Sequence, residues 1–168
     1  LKVHVPFRAD AAAREITVLR VAAGRACVRL LESDAAAGAL LVQRLGPAMS
    51  GLALPQPHRL EILCDLAAAV WQPSDAALPG GAHKAASLAD YIRLRWTGLG
   101  GPCSRRAYRD ALAAAESRRR AHDPARAVLL HGDVHQWNAL QADDGFRLVD
   151  PDGLIAEPEY DLGVLMRE

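Results

Sequence analysis

Polar and apolar positions alternate at the very start of the chain, where Leu-Lys2-Val-His-Val reads as a β-strand that Pro6 ends. From Asp10, placed to cap it, a helix is predicted over residues 11–23. Ala12, Ile16, Leu19 and Ala23 share its face, Glu15 lies towards the edge of that face, and Gly24 is the stop. The period then returns to two. Strands are predicted over residues 27–32 and 39–45, with a turn at 33–38 between them and a break at Gly46-Pro47. Beyond that break the helical period takes over. Pro57 opens a helix whose Leu60, Leu63, Ala67, Val70 and Trp71 fall on one side. A Pro/Gly-rich loop spans residues 73–83, and Ser87 is placed to cap a helix over 88–96. After a break at 98–102, Ser104 caps a third helix running to about Arg120, with Tyr108, Leu112 and Ala115 inward. From Ala127 to Asp161 short apolar runs lead twice into polar clusters, the pattern of strands that present side chains at their ends.

Strand, helix, strand, strand, then helices and a hairpin imply an α+β fold. The expected division is a small β-rich lobe (residues 1–45), a hinge (46–56) and a mostly helical lobe (57–168) whose catalytic β-hairpin faces the cleft. The chain of 168 residues, 51% hydrophobic and 24% charged, can bury a core as one domain or two small lobes. Twenty basic residues balance twenty acidic ones, so no unspecific pull towards nucleic acid or acidic membranes is expected. Cys27, Cys64 and Cys103 form no Cys-x-x-Cys pair, which argues against a disulfide framework and for a reducing cytoplasm. No apolar run reaches about 18 residues and no signal peptide is seen. The chain opens inside a strand without Met and stops inside an apolar segment; it is expected to be a piece of a larger protein, incomplete in both lobes.

The chemistry concentrates in Leu-Leu-His131-Gly-Asp133-Val-His135-Gln-Trp-Asn138 and Leu-Val-Asp150-Pro-Asp152-Gly153. An Asp, an Asn five residues on and a second Asp twelve residues later make the spacing of a kinase catalytic loop and its metal-binding Asp. Asp133 suits the carboxylate that orients an acceptor hydroxyl and takes its proton. Asn138 and Asp150 offer the hard oxygens that Mg2+ prefers. Lys2 suits the cation on the phosphates, with Glu15 to hold it. His131 and His135 stand four apart as in a zinc helix, but Gly132 and Asp133 break a helix, and His131 is better read as a buried imidazole that shapes the loop. For His135, phosphate or substrate contact and plain loop residue both stay open.

These stretches resemble the catalytic loop of the aminoglycoside phosphotransferase and choline kinase superfamily. The run from Val149 through Asp150, Gly153 and Asp161 to Gly163 is similar to the narrower aminoglycoside/hydroxyurea resistance kinases, the branch with streptomycin 6-phosphotransferases. The resemblance implies a protein-kinase-like two-lobe fold that uses ATP and Mg2+ on a small-molecule acceptor, as a cytoplasmic monomer. It implies Asp133 as base, Asn138 and Asp150 as metal ligands, and Lys2 on the phosphates with Glu15 pinning it. It further implies backbone contacts from Gln43, Arg44 and Leu45 to adenine, and Asp161 bonding the catalytic-loop backbone. Bottom-up, Asp161 reads only as an N-cap for the residues after it.

Streptomycin, hydroxyurea, choline and homoserine are the acceptors to weigh. An inactive remnant that binds nucleotide at most is the non-enzyme alternative, since no Gly-rich loop precedes Lys2 and low activity is expected of the piece alone. A metallophosphoesterase, suggested by Gly132-Asp133-Val134-His135, lacks the later His ligands that chemistry needs.

Overall fold

The computed structural model describes residues 1–4 and 10–166; the expected strand end at Val5 and Pro6 lies outside them. The apolar period predicted the first helix well. α1 (Ala11–Ala22) buries Ala12, Ile16, Val18, Leu19 and Ala22, and Glu15 with them rather than at an edge. It stops at Ala23, which takes a left-handed backbone (φ 50) and so leaves the predicted apolar face; Gly24 (φ 78) follows. Asp10 holds the N-cap position without a side-chain capping bond, and its Oδ2 lies 3.2 Å from Arg14 Nε instead.

β1 (Lys2–Val3) and β2 (Leu30–Asp34) flank β3 (Ala39–Val42) in one antiparallel sheet of order β1-β3-β2. The strand expected over 27–32 therefore starts at Leu30. Ala26, Cys27 and Val28 are all buried, with no in-out alternation, and their backbone bonds a strand elsewhere: Val28 N–H donates to Leu148 O (2.8 Å) and Leu148 N–H to Ala26 O (2.8 Å). β3 ends at Val42 rather than Leu45, because the chain turns to run beside the later hairpin. Gly46 N–H bonds Gln141 O (2.8 Å) and Gln141 N–H bonds Pro47 O (3.0 Å).

α2 (Gln56–Val70) sets Leu63, Ala67 and Val70 in the core, with Trp71 as its C-cap. α3 (Gly81–Gly98) begins ahead of the predicted Leu88, leaving Ser87 inside the helix and not at its cap. Tertiary packing sets that start. A Cβ on Gly81 would stand 2.8 Å from His122 Nδ1, and Gly80 bridges Ile155. α4 (Arg105–Ala121) is capped by Ser104, whose Oγ accepts from Ala107 N–H at 3.1 Å, and Tyr108 stacks on Trp96 of α3 at 4.4 Å. No α4 residue is fully buried, so its inward face is only half covered.

β4 (Val128–Leu130) pairs antiparallel with β7 (Leu154–Ala156), while β5 (Ala139–Ala142) and β6 (Gly145–Leu148) form a hairpin; α5 (Glu159–Leu165) follows. One apolar cluster runs from Ile16 and Leu19 through Leu40 and Met49 to Leu63, Leu129 and Leu148, so both ends of the chain share a core. The β4–β5 and β6–β7 loops leave this core side by side. Among the described residues no helix is long and apolar enough to cross a membrane.

Candidate active site

The β4–β5 loop opens with a glycine that nothing else can replace easily. Gly132 has φ +87, and a Cβ there would lie 2.6 Å from Leu154 Cδ2. His131 before it is fully buried. Its Nε2 lies 3.0 Å from Val149 O, so that nitrogen carries the proton, and its Nδ1 accepts from Asp133 N–H at 3.3 Å. Burial pushes its pKa down to about 4. His131 is thus a neutral spacer between the two loops, and Gly153 N–H closes the other side on His131 O at 3.0 Å.

Asp161 lies inside α5, not at its cap, and reaches back to the same loop. Its Oδ1 accepts from Gly132 N–H (2.8 Å); its Oδ2 accepts from His131 N–H (3.3 Å) and Trp71 Nε1–H (3.1 Å). Burial raises this carboxyl above its ordinary value, and the three N–H donors restrain the rise.

Asp133 projects half-exposed from the loop so held. Its Oδ2 lies 3.2 Å from His135 Nε2 and 3.3 Å from Asn138 Nδ2, and Asn138 Nδ2 also donates to Asp133 O at 3.1 Å. A backbone carbonyl only accepts, so the amide nitrogen must face Asp133 and the Asn138 oxygen must face away. Val149 N–H donates to Asn138 O (2.8 Å), continuing the β5–β6 ladder by one rung and setting Asp150 just beyond it.

Asp150 takes a left-handed backbone (φ 59) and reaches across the molecule. Its Oδ1 lies 2.7 Å from Lys2 Nζ, which is 2.6 Å from Glu15 Oε2. Burial pulls the Lys2 ammonium down, but the two carboxylates more than offset it and hold it above its usual value. Lys2, His4, Arg14, Glu15, Asp133 and Asp150 line one cavity of about 250 Å³. Residues far apart in sequence therefore meet, and the strand-helix pair of Lys2 and Glu15 faces the two loop aspartates.

Two contributors were given no role in the sequence reading. His4 Nε2 lies 2.7 Å from Glu15 Oε2; the alternation of the first strand puts it on the face of Lys2, which was the available signal. Asp152 also lines the cavity and pairs with Lys84 Nζ at 3.1 Å, a contact with no local trace in the sequence. Gln43, Arg44 and Leu45 stand outside the cavity lining: Gln43 N–H donates to Arg29 O (2.9 Å), and Leu45 packs on the core.

A divalent cation suits the donors in kind. One carboxylate (Asp150) and one amide oxygen (Asn138) are hard ligands of the sort Mg2+ takes beside water and phosphate. Among the described residues no group of three or more His, Cys, Asp or Glu side chains gathers as a protein-only metal cage.

Comparison with known proteins finds one family and two relatives. The family profile described as aminoglycoside/hydroxyurea antibiotic resistance kinase matches residues 1–168. A streptomycin 6-kinase of Streptomyces glaucescens is 30% identical over 166 residues, covering 96% of this chain and 52% of the relative. A hydroxyurea phosphotransferase of Kitasatospora aureofaciens is 33% identical over 167 residues, covering 96% of this chain and 48% of the relative. The chain spans about half the length of these curated relatives.

Proposed function

The chain belongs to the aminoglycoside/hydroxyurea antibiotic resistance kinase family, and we propose that it carries the reaction centre of a phosphotransferase that moves the γ-phosphate of ATP onto a hydroxyl of a small acceptor, an aminoglycoside such as streptomycin. The observation that carries this reading is the meeting of Asp133 and Asp150 with the Glu15-held Lys2 on one cavity. Asp133 takes the proton of the acceptor hydroxyl as its oxygen bonds the γ-phosphorus, while the bond from that phosphorus to the β-phosphate oxygen breaks and ADP departs. Asn138 and Asp150 would hold Mg2+, whose charge offsets that of the phosphates. Lys2 turns to the phosphate oxygens. His135, 3.2 Å from Asp133 Oδ2, steadies the base in its orientation.

Residues 1–45 act in this reading as part of a nucleotide-binding lobe, 46–56 as a hinge and 57–168 as the catalytic lobe. In this reading the backbone of Gln43, Arg44 and Leu45 contacts adenine, the Gln43 part falling to its carbonyl since its N–H bonds Arg29 O.

The test is a magnesium-ATP phosphotransfer screen in the polypeptide that natively carries residues 1–168, with streptomycin, hydroxyurea, choline and homoserine as acceptors. Streptomycin-dependent release of ADP is expected, and Asp133→Asn should lower it by roughly 100- to 10,000-fold while leaving the melting temperature close to wild type. Turnover that survives in Asp133→Asn removes that residue from the role of base. Turnover with hydroxyurea and none with streptomycin moves the substrate to the other named relative's class.

A further inference from the structure

Asp152 stands two residues after Asp150 and lines the same cavity, yet the proposed chemistry gives it no role. The loop holds it there. Pro151 is buried, and Gly153 has φ +68 and donates its N–H to His131 O at 3.0 Å. A Cβ on Gly153 would lie 2.6 Å from Val18 Cγ2, so α1 presses on this turn from the other side. The backbone that carries Asp152 is therefore held at the cavity it shares with Asp150 and Lys2.

Lys84 answers that charge from another element. Its Nζ lies 3.1 Å from Asp152 Oδ2 and 5.9 Å from the centre of the Tyr160 ring. Burial raises the Tyr160 hydroxyl above its ordinary value and the neighbouring Lys84 ammonium pulls it part of the way back. The helix that carries Lys84 is clamped at its start. Gly80 bridges Ile155, Ile155 N–H donates to Pro79 O at 2.9 Å, and Gly81 sits against His122. Lys84 thus rises from a fixed base onto Asp152.

We propose that Lys84 is a positioning residue of the phosphate cavity: by neutralising Asp152 it keeps a second carboxylate from competing with Asp150 for Lys2 and from repelling the phosphates of a bound nucleotide. This rests on the reading of the cavity as a magnesium-nucleotide site. Lys84 itself is not among the residues that line the cavity. An ion pair with Asp152 39% and Lys84 23% exposed contributes little to folding, so removing it should be felt at the ligand.

Calorimetric titration with Mg2+ and the non-hydrolysable ATP analogue AMPPNP tests this, in the polypeptide that natively carries the chain. Lys84→Met should weaken binding about tenfold through the uncompensated Asp152 charge. Lys84→Arg should stay within about twofold of wild type, because it keeps the charge. The decisive variant is Lys84→Met with Asp152→Asn, which should regain most of the loss, as removing an offending charge would and removing a second structural contact would not. Melting temperatures should stay close together throughout. Wild-type binding with Lys84→Met unchanged, or a double variant no better than Lys84→Met, overturns the proposal. So does a collapse of melting temperature in Lys84→Met, which assigns the pair to folding. Absence of binding by wild type instead sinks the nucleotide-site reading, and this inference with it.

Discussion

Asp161 offers the most direct test of how the β4–β5 loop is held. Replacing it by Ala leaves Gly132 N–H, His131 N–H and Trp71 Nε1–H without their acceptor in a buried place. Each buried polar group left unsatisfied costs about 1–3 kcal/mol, for a bare sum of about 3–9 kcal/mol. Two effects cut that sum. Burial already raises the Asp161 carboxyl, so the site disfavours the charge that is removed, and water can enter the space vacated by the carboxylate. A net loss of about 3–5 kcal/mol is expected, the size seen when one partner of a buried charged network is deleted.

Against a total of about 5–15 kcal/mol, such a loss is large but survivable. In urea, with a slope of about 1–3 kcal/mol per molar, the midpoint should fall by roughly 2 M with the slope unchanged. Asp161→Asn keeps one acceptor oxygen but turns a donor towards the remaining N–H groups, so it should lie between wild type and Ala. Hydrogen exchange supplies a local check: the Gly132 amide, protected in wild type, should exchange faster in Asp161→Ala by more than the global loss explains. A loss under about 1 kcal/mol in the Ala variant would refute the reasoning, since three satisfied buried donors could not then depend on this carboxylate.

Two further outcomes follow from the same loop. The unfolded His131 takes a proton near its ordinary pKa of 6.5, whereas the folded one resists until about 4. The unfolded state therefore binds more protons in that window, and stability should fall as pH drops from about 6.5 to 4, by up to roughly 3 kcal/mol; urea midpoints across that range should show a slope that His131→Asn flattens. Gly132→Ala should cost about 1–2 kcal/mol for the left-handed backbone and about 1–3 kcal/mol more for overpacking against Leu154 Cδ2 at 2.6 Å; a thermal melt at wild-type temperature would sink that account.

What could be read from residues alone was whatever has a short period. The 3.6-residue repeat located α1, α2 and α4, and the turn between apolar runs located the β5–β6 hairpin. The spacing of Asn138 and Asp150 was legible because one hairpin register sets it, and Asp133 lies in the short loop just before that hairpin. What stayed hidden was settled by partners distant in the chain. The start of α3 depends on Gly81 finding room beside His122, and Ser87 two turns later carries no hint of that. Cys27 and Val28 look like part of a strand but lie in a stretch that bonds Leu148, over a hundred residues on, so their ladder is not the one that periodicity suggests. Glu15 looked like a helix-edge carboxylate because its burial comes from Lys2 and His4 closing over it.

The same asymmetry of burial decides how the cavity can respond to a ligand. Lys2 bonds two carboxylates, so an arriving phosphate either takes the third N–H of the ammonium or displaces one of them. Glu15 is only 3% exposed, while Asp150 is 53% exposed. At about 4 Å a pair of unit charges is worth about 1 kcal/mol in water but about 4 kcal/mol at the effective dielectric of a protein surface, so the exposed contact is the cheaper one to give up. Lys2 should keep Glu15 and release Asp150. That exchange turns the ammonium towards an anion and frees the carboxylate for a cation in one movement. It works only if no other carboxylate takes the place of Asp150 on Lys2. Asp152 is the nearest candidate in sequence, and Lys84 already occupies it.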